Sequence, residues 1–202
     1  MKYHKLAASL FFAGMLLLSG CGSSDDSTST PPPVVTPTPT QPTPGEPSAP
    51  VTHETSVFTT SGETIPVQVT TEGFNFIGYE GKPVLLEFYG DTCPHCIDAI
   101  PMYNNLQAKY GNDILILTID APGAYATLNN AGLQNFVASH GITYRTVAQE
   151  YEGNMKAYAE ELVGPMAGVP YLIVLDGAGN IITQVVGIVD ESWLEGLILD
   201  LL

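Results

Sequence analysis

Three uninterrupted apolar runs constrain this chain most: residues 84–89 (Val-Leu-Leu-Glu-Phe-Tyr), 114–119 (Ile-Leu-Ile-Leu-Thr-Ile) and 171–175 (Tyr-Leu-Ile-Val-Leu). A strand with one face in water alternates apolar and polar side chains, whereas a short run without alternation is a strand buried on both faces. A sheet of such strands needs cover on both sides, and the intervening stretches read as helices. Residues 94–110 place Ile100, Tyr103, Leu106 and Tyr110 on one face and stop at Gly111-Asn112. Residues 128–140, 151–162 and 191–202 are further helical segments. Residues 65–69 and 74–77 read as a short hairpin ahead of this core, and 142–147 as a short strand. The turn Asp176-Gly177-Ala178-Gly179-Asn180 leads from the third run into a strand over 181–186. Strands alternating with helices predict an α/β domain, with a central mixed sheet flanked by helices.

Composition narrows the partners. Six Lys+Arg stand against 21 Asp+Glu, a formal net charge of -15. No basic face can be assembled, which argues against a nucleic acid partner. Three cysteines are too few for a disulfide scaffold.

The N-terminal residues read as an address. Lys2 and Lys5 precede an almost wholly apolar stretch over 6–18. That stretch is shorter than the roughly 20 residues that span a bilayer. Residues 1–20 are therefore expected to be a secretory signal peptide. The sequence Leu18-Ser19-Gly20-Cys21 resembles the lipobox of bacterial lipoproteins, which implies cleavage before Cys21 and lipidation of its thiol. The chain is then expected in the bacterial cell envelope, anchored to the membrane by lipid and facing the periplasm. Residues 21–56 are rich in Ser, Thr and Pro, with Pro31-Pro32-Pro33 and Thr-Pro repeats. They are expected to form a disordered, extended tether. Residues 57–202 are read as one globular domain.

The chemistry is carried by Cys93-Pro94-His95-Cys96, directly after the first apolar run and at the start of the first helix. A helix N-terminus offers unpaired N–H groups and a partial positive charge, which stabilise a thiolate at Cys93. Pro94 suits the first helical turn, where its missing N–H costs nothing. His95 adds a donor or a positive charge near the sulfur. Structural zinc usually needs two ligand pairs and no second pair exists, so neither metal nor cofactor is expected. A structural disulfide closing so small a loop removes little chain entropy. Two inert buried thiols are the third alternative, disfavoured because a strand-to-helix turn exposes the first of them. Redox chemistry is the reading adopted, with Cys93 expected at the exposed edge of the turn.

The stretch Glu87-Phe88-Tyr89-Gly90-Asp91-Thr92-Cys93-Pro94-His95-Cys96 resembles the active-site strand and turn of the thioredoxin superfamily, and the resemblance covers roughly residues 64–202. Pro101 lies where thioredoxins kink this helix, and Gly168-Val169-Pro170 falls at the family's cis-proline. The leading Gly78-Tyr79-Glu80-Gly81-Lys82-Pro83 resembles the TlpA/ResA-like branch, with residues 144–164 as its insert before the cis-proline. The Cys-Pro-His-Cys loop and Val169 resemble DsbA. The resemblance implies a thioredoxin fold with a short N-terminal β-hairpin. It implies that Cys93 exchanges with substrate, that Cys96 resolves the mixed disulfide, and that Val169 and Pro170 hold an extended substrate strand.

Glu87 stands six residues before Cys93, where many thioredoxins carry a buried Asp; it is either a proton relay for Cys96 or an edge residue facing solvent. TlpA/ResA-like reductases often carry a Glu where this chain has Ala99. Asp91 is expected to oppose a thiolate somewhat. The function implied is a membrane-anchored, extracytoplasmic thiol–disulfide oxidoreductase leaning to dithiol oxidation. Its partners would be exported protein thiols or disulfides and a membrane thiol-redox partner. A reductase of the same fold, serving cytochrome c maturation or periplasmic thiols, and a non-catalytic peptide- or metal-binding module are the alternatives.

Overall fold

A computed structural model describes residues 49–121, 123 and 125–202. The expected signal peptide, Cys21 and most of the tether lie outside the described residues.

A five-stranded mixed sheet forms the centre. Strands β4 (Val84–Tyr89), β5 (Leu115–Asp120), β6 (Arg145–Val147), β7 (Tyr171–Leu175) and β8 (Ile181–Val186) lie in the order β6-β5-β4-β7-β8. β4 pairs parallel with β5 and antiparallel with β7, so it occupies the middle. Every residue of β4, β5 and β7 is buried, as their unbroken apolar runs predict.

Side-chain alternation divides these strands between two cores. Val84, Leu86, Phe88, Leu117, Ile119 and Ile173 face one side, under Met155 and Ala159 of α3 (Met155–Val163). Leu85, Ile116, Leu172 and Val174 face the other. That side is covered by Tyr103 and Leu106 of α1 (Pro94–Tyr110) and by Leu194 and Ile198 of α4 (Glu191–Leu201). The remaining helix, α2 (Asn130–His140), starts at the Asn129 cap, whose side chain accepts from Gly132 N, and ends at Gly141 with φ 63°.

In the N-terminal portion the expected hairpin is present, and one further strand extends it: β1 (Val51–Phe58), β2 (Thr64–Thr70) and β3 (Phe74–Phe76) form a three-stranded antiparallel sheet in the order β1-β2-β3. Residues 51–56, read as tether, belong to β1, and His53 stacks on Tyr158 with ring centroids 4.5 Å apart. The tether reading followed Ser/Thr/Pro composition. The β-branched residues Val51, Thr52, Thr55 and Val57 have strand propensity, and pairing with β2 supplies the partner that composition does not reveal. Val57, Val67, Phe74 and Phe76 of this small sheet close the first core. The segment over residues 144–164 contributes edge strand β6, which pairs parallel with β5, as well as α3.

The two sheets meet at the β7–β8 turn. Phe74 N donates to Gly179 O at 2.9 Å, and Ile181 N donates to Glu72 O at 2.9 Å. Gly179 has φ +84° and sits against the carbonyl of Phe74 and the side chain of Asn75. A Cβ there would meet both a disfavoured backbone conformation and occupied space. We expect Gly179→Ala to destabilise the fold by about 1–3 kcal/mol, read as a lower urea midpoint at unchanged slope.

Candidate active site

β4 ends at the centre of the sheet, and the turn Gly90-Asp91-Thr92 delivers Cys93 to the N-cap of α1. N-cap positions usually hold a side-chain oxygen that accepts an orphan amide. Here the Cys93 sulfur takes that place and accepts from Cys96 N at 3.4 Å, with Pro94 in the first turn. The Val169–Pro170 peptide is cis, and the Cys93 thiol donates to Val169 O at 3.7 Å. One loop turn and one helix end thus bring together residues separated by 76 positions.

The expectation of an exposed Cys93 is corrected. Cys93 is 3% exposed and Cys96 4%. Both sulfurs lie in a small cluster with Tyr89, Leu133 and Ala148, against which Leu128, Phe136 and Val169 pack. The turn leaves Thr92, Pro94 and His95 exposed while the sulfur itself points under Val169. Whether a turn residue is exposed depends on what folds over it, and residues 128, 136 and 169 come from elsewhere in the chain.

Glu87 is a buried residue of the central strand, with Thr118 and Leu172 as its register neighbours. The alternative of an edge position is excluded by the strand order. Burial pushes its carboxyl up to about 8, against a hydrogen bond from Tyr103 that acts the other way. Cys96 is pushed well up, first by burial, then by its bond with Cys93, and also by the charge of Glu87. The charge of Glu87 is thus felt at the second sulfur. Tyr103 and Tyr144, edge to face with centroids 5.6 Å apart, wall this region. Their role was not legible as more than helical periodicity and a strand start.

His95 stands in solvent, its Nδ1 3.9 Å from Asp98. Asp91 does not face solvent as a loose charge near the sulfur: it is buried, and Thr127 and Leu128 saturate its carboxylate. Asp120, at the end of β5, accepts from Asp91 N at 3.2 Å. Burial, then the charge of Asp91, pushes its carboxyl up to about 8. Neither contact has a sequence signal beyond the acidic residue itself. Beside Val169 lies a cavity of about 270 Å³ lined by Ala121, Tyr125, Lys156, Met166 and Gly168 among others. Met166 thus borders the site, while Met155 is core.

A central mixed sheet, a cysteine pair at the mouth of the helix after its middle strand, and a cis-proline opposite define the thioredoxin fold. Residues 66–162 match the thioredoxin family, and the scaffold is TlpA/ResA-like. Among curated relatives, the thiol-disulfide oxidoreductase ResA of Bacillus thuringiensis (strain Al Hakam) is 28% identical over 120 residues, 58% of this chain and 62% of that protein. The thiol-disulfide oxidoreductase YkuV of Bacillus subtilis (strain 168) is 24% identical over 100 residues, 50% of this chain and 64% of that protein. The chain thus spans just under two thirds of the length of these relatives. Two solved structures share the fold. The pneumococcal exposed lipoprotein thioredoxin Etrx1 of Streptococcus pneumoniae has TM-score 0.55 at 18% identity, covering 74% of this chain and 100% of that one. A putative thiol:disulfide interchange protein DsbE of Chlorobium tepidum has TM-score 0.55 at 19% identity, covering 75% and 95%.

Glu87 gives a pH dependence with a definite sign. Its carboxyl is raised from 4.5 to about 8 by folding. Between those values the folded state binds the extra proton, so stability falls as pH rises. One such group contributes a slope of up to about 1.4 kcal/mol per pH unit. Asp120, raised from 3.8 to about 8, acts in the same direction. We expect the wild-type urea midpoint to fall between about pH 5 and 7. Glu87→Gln should flatten that fall without abolishing it. Identical slopes in the two proteins would show that Glu87 ionises in the folded state.

Proposed function

We propose that this chain is a thiol–disulfide oxidoreductase, tethered by lipid at Cys21 and acting on exported proteins, with Cys93 as the exchanging sulfur. One observation carries the reading: the Cys93 sulfur occupies the N-cap of α1, 3.4 Å from Cys96 N. An anion formed there gains a helix N-terminus and an amide donor at once.

In the oxidising direction a substrate thiolate attacks the Cys93 sulfur of a Cys93–Cys96 disulfide. A substrate–Cys93 bond forms, the Cys93–Cys96 bond breaks, and Cys96 departs with the electron pair. Cys96 is disfavoured as an anion by burial. It therefore needs a proton, and Glu87, lifted to about 8, still holds one at neutral pH. A second substrate thiolate then attacks the substrate sulfur of the mixed disulfide and releases Cys93 as thiolate. Two electrons have moved from the substrate dithiol to the cysteine pair, and a membrane thiol-redox partner would remove them. The Val169 carbonyl, beside the sulfur, suits an extended substrate strand laid along residues 168–170.

The dithiol-oxidase direction is favoured by the amide donor to Cys93, which stabilises the reduced pair and so raises the potential. The likeness of Pro94, His95 and Val169 to a DsbA-type site points the same way. The likeness to Etrx1, named as an exposed lipoprotein, supports the envelope reading of the Cys21 motif.

Cys93→Ser is expected to lose all exchange with a dithiol peptide above background. Cys96→Ser should instead accumulate mixed disulfides through Cys93, visible on non-reducing gels. Glu87→Gln should slow turnover at pH 7 by on the order of 10²-fold. Equilibration with glutathione should give a potential above that of thioredoxin, about −270 mV. A value at or below that figure overturns the oxidase direction, and an active Cys93→Ser protein overturns the activity.

A further inference from the structure

Asp91 lies two residues before Cys93 and is 5% exposed. A carboxylate buried this close to an exchanging sulfur is unfavourable twice over, through lost hydration and through repulsion of a thiolate. Three donors compensate it. Its Oδ2 accepts from Thr127 N at 2.6 Å and from Leu128 N at 2.8 Å. Its Oδ1 accepts from Thr127 Oγ1 at 2.8 Å. These three donors belong to two consecutive residues, just before the Asn129 cap of α2.

The chain from Leu128 into α2 covers the cysteines. Leu128, and Leu133 and Phe136 from α2, pack on the cluster that contains Cys93 and Cys96. Leu133 is fully buried there. A second tie runs parallel: Thr92 N and Thr92 Oγ1 both donate to Tyr125 O at 3.1 Å. Below, Asp91 N donates to Asp120 Oδ1, which fixes the turn from the sheet side. Asp120 and Tyr89 face this corner as well, and burial, then the charge of Asp91, pushes the Asp120 carboxyl up to about 8. Both oxygens of Asp91 have donors.

We propose that Asp91 is a positioning residue for thiol exchange: by gripping Thr127 and Leu128 it holds the start of α2 over the cysteine pair, and so sets how readily a reacting sulfur or electrophile reaches Cys93. The proposal rests on Cys93 being the exchanging sulfur. Hydrogen bonds to a charged group are each worth about 1.5–3 kcal/mol, so loss of the grip has a large effect on the cover. An alternative in which Asp91 acts only through its charge makes a different demand, because Asp91→Asn removes the charge but keeps the shape. The amide oxygen can accept both backbone N–H groups, and the NH2 can donate to a reoriented Thr127 hydroxyl.

The test is the rate of Cys93 alkylation by iodoacetamide in the reduced full-length protein, followed by peptide mass spectrometry across a pH series. Asp91→Ala should raise the limiting rate at high pH by about tenfold or more, the loss of at least one charged hydrogen bond. Asp91→Asn, which keeps the three bonds in weaker neutral form, should raise the rate clearly less than Asp91→Ala does. Equal rate increases in both variants would assign the effect to charge and overturn the grip, as would an Asp91→Ala protein that reacts like wild type. Should Asp91→Ala fail to fold, Thr127→Val carries the test, since it removes a single donor. A faster limiting rate supports the proposal and an unchanged one overturns it. Alkylation needs no protein substrate, so these rates stand even if dithiol-exchange assays on the wild-type protein show no activity.

Discussion

The Cys93 sulfur fills a place that helices normally give to a hydroxyl or carboxylate, and the rest of the site is arranged around that substitution. The sulfur accepts the Cys96 amide because α1 begins at Pro94, and α1 begins there because β4 ends at Tyr89 and a three-residue turn closes the gap. β4 can end at that point only because β5 and β7 flank it on both sides. The apolar interior therefore fixes where the reactive atom stands, before any polar contact is counted. The cis Val169–Pro170 peptide places a carbonyl against the same sulfur from across the sheet.

Three buried acids stand on β4, at the end of β5 and in the active-site turn, and their surroundings differ. Glu87 lies in the central strand with Tyr103 as its donor, and burial pushes its carboxyl up to about 8. Asp120 ends β5, buried, with one carboxyl oxygen lacking a partner among the described residues. Asp91 is buried as well, yet three donors satisfy it. A proton that can leave suits transfer at Cys96, whereas a carboxyl group held by three donors suits mechanical attachment. The division follows from which strand or turn each residue occupies, since all three are acids close in the chain to an active-site turn or strand end.

The central strands were legible because burial on both faces leaves an unbroken apolar run, and the cysteine motif because a strand-to-helix turn is a recognisable context. β1 was not, since a Thr- and Val-containing stretch continues a Ser/Thr/Pro-rich tail and only its pairing with β2 marks it as folded. Cys93 was expected to be exposed because it lies at a strand-to-helix turn; apart from Tyr89 and Cys96, the residues packed around it lie 35 or more positions away. Glu87 could face solvent or core on sequence alone, because strand order is not written in any single strand.

Sequence by itself determined the strand–helix alternation, the cysteine spacing at a helix start and the acidic balance. Those features are local or additive, so they survive without knowledge of the fold. Tertiary structure alone decided that β4 is central, that Glu87 is buried, that Leu128, Phe136 and Val169 cover the sulfurs, and that Asp91 holds Thr127 and Leu128. Each of these depends on contacts between segments distant in the chain, and burial and hydrogen-bond partnership arise only once such segments meet.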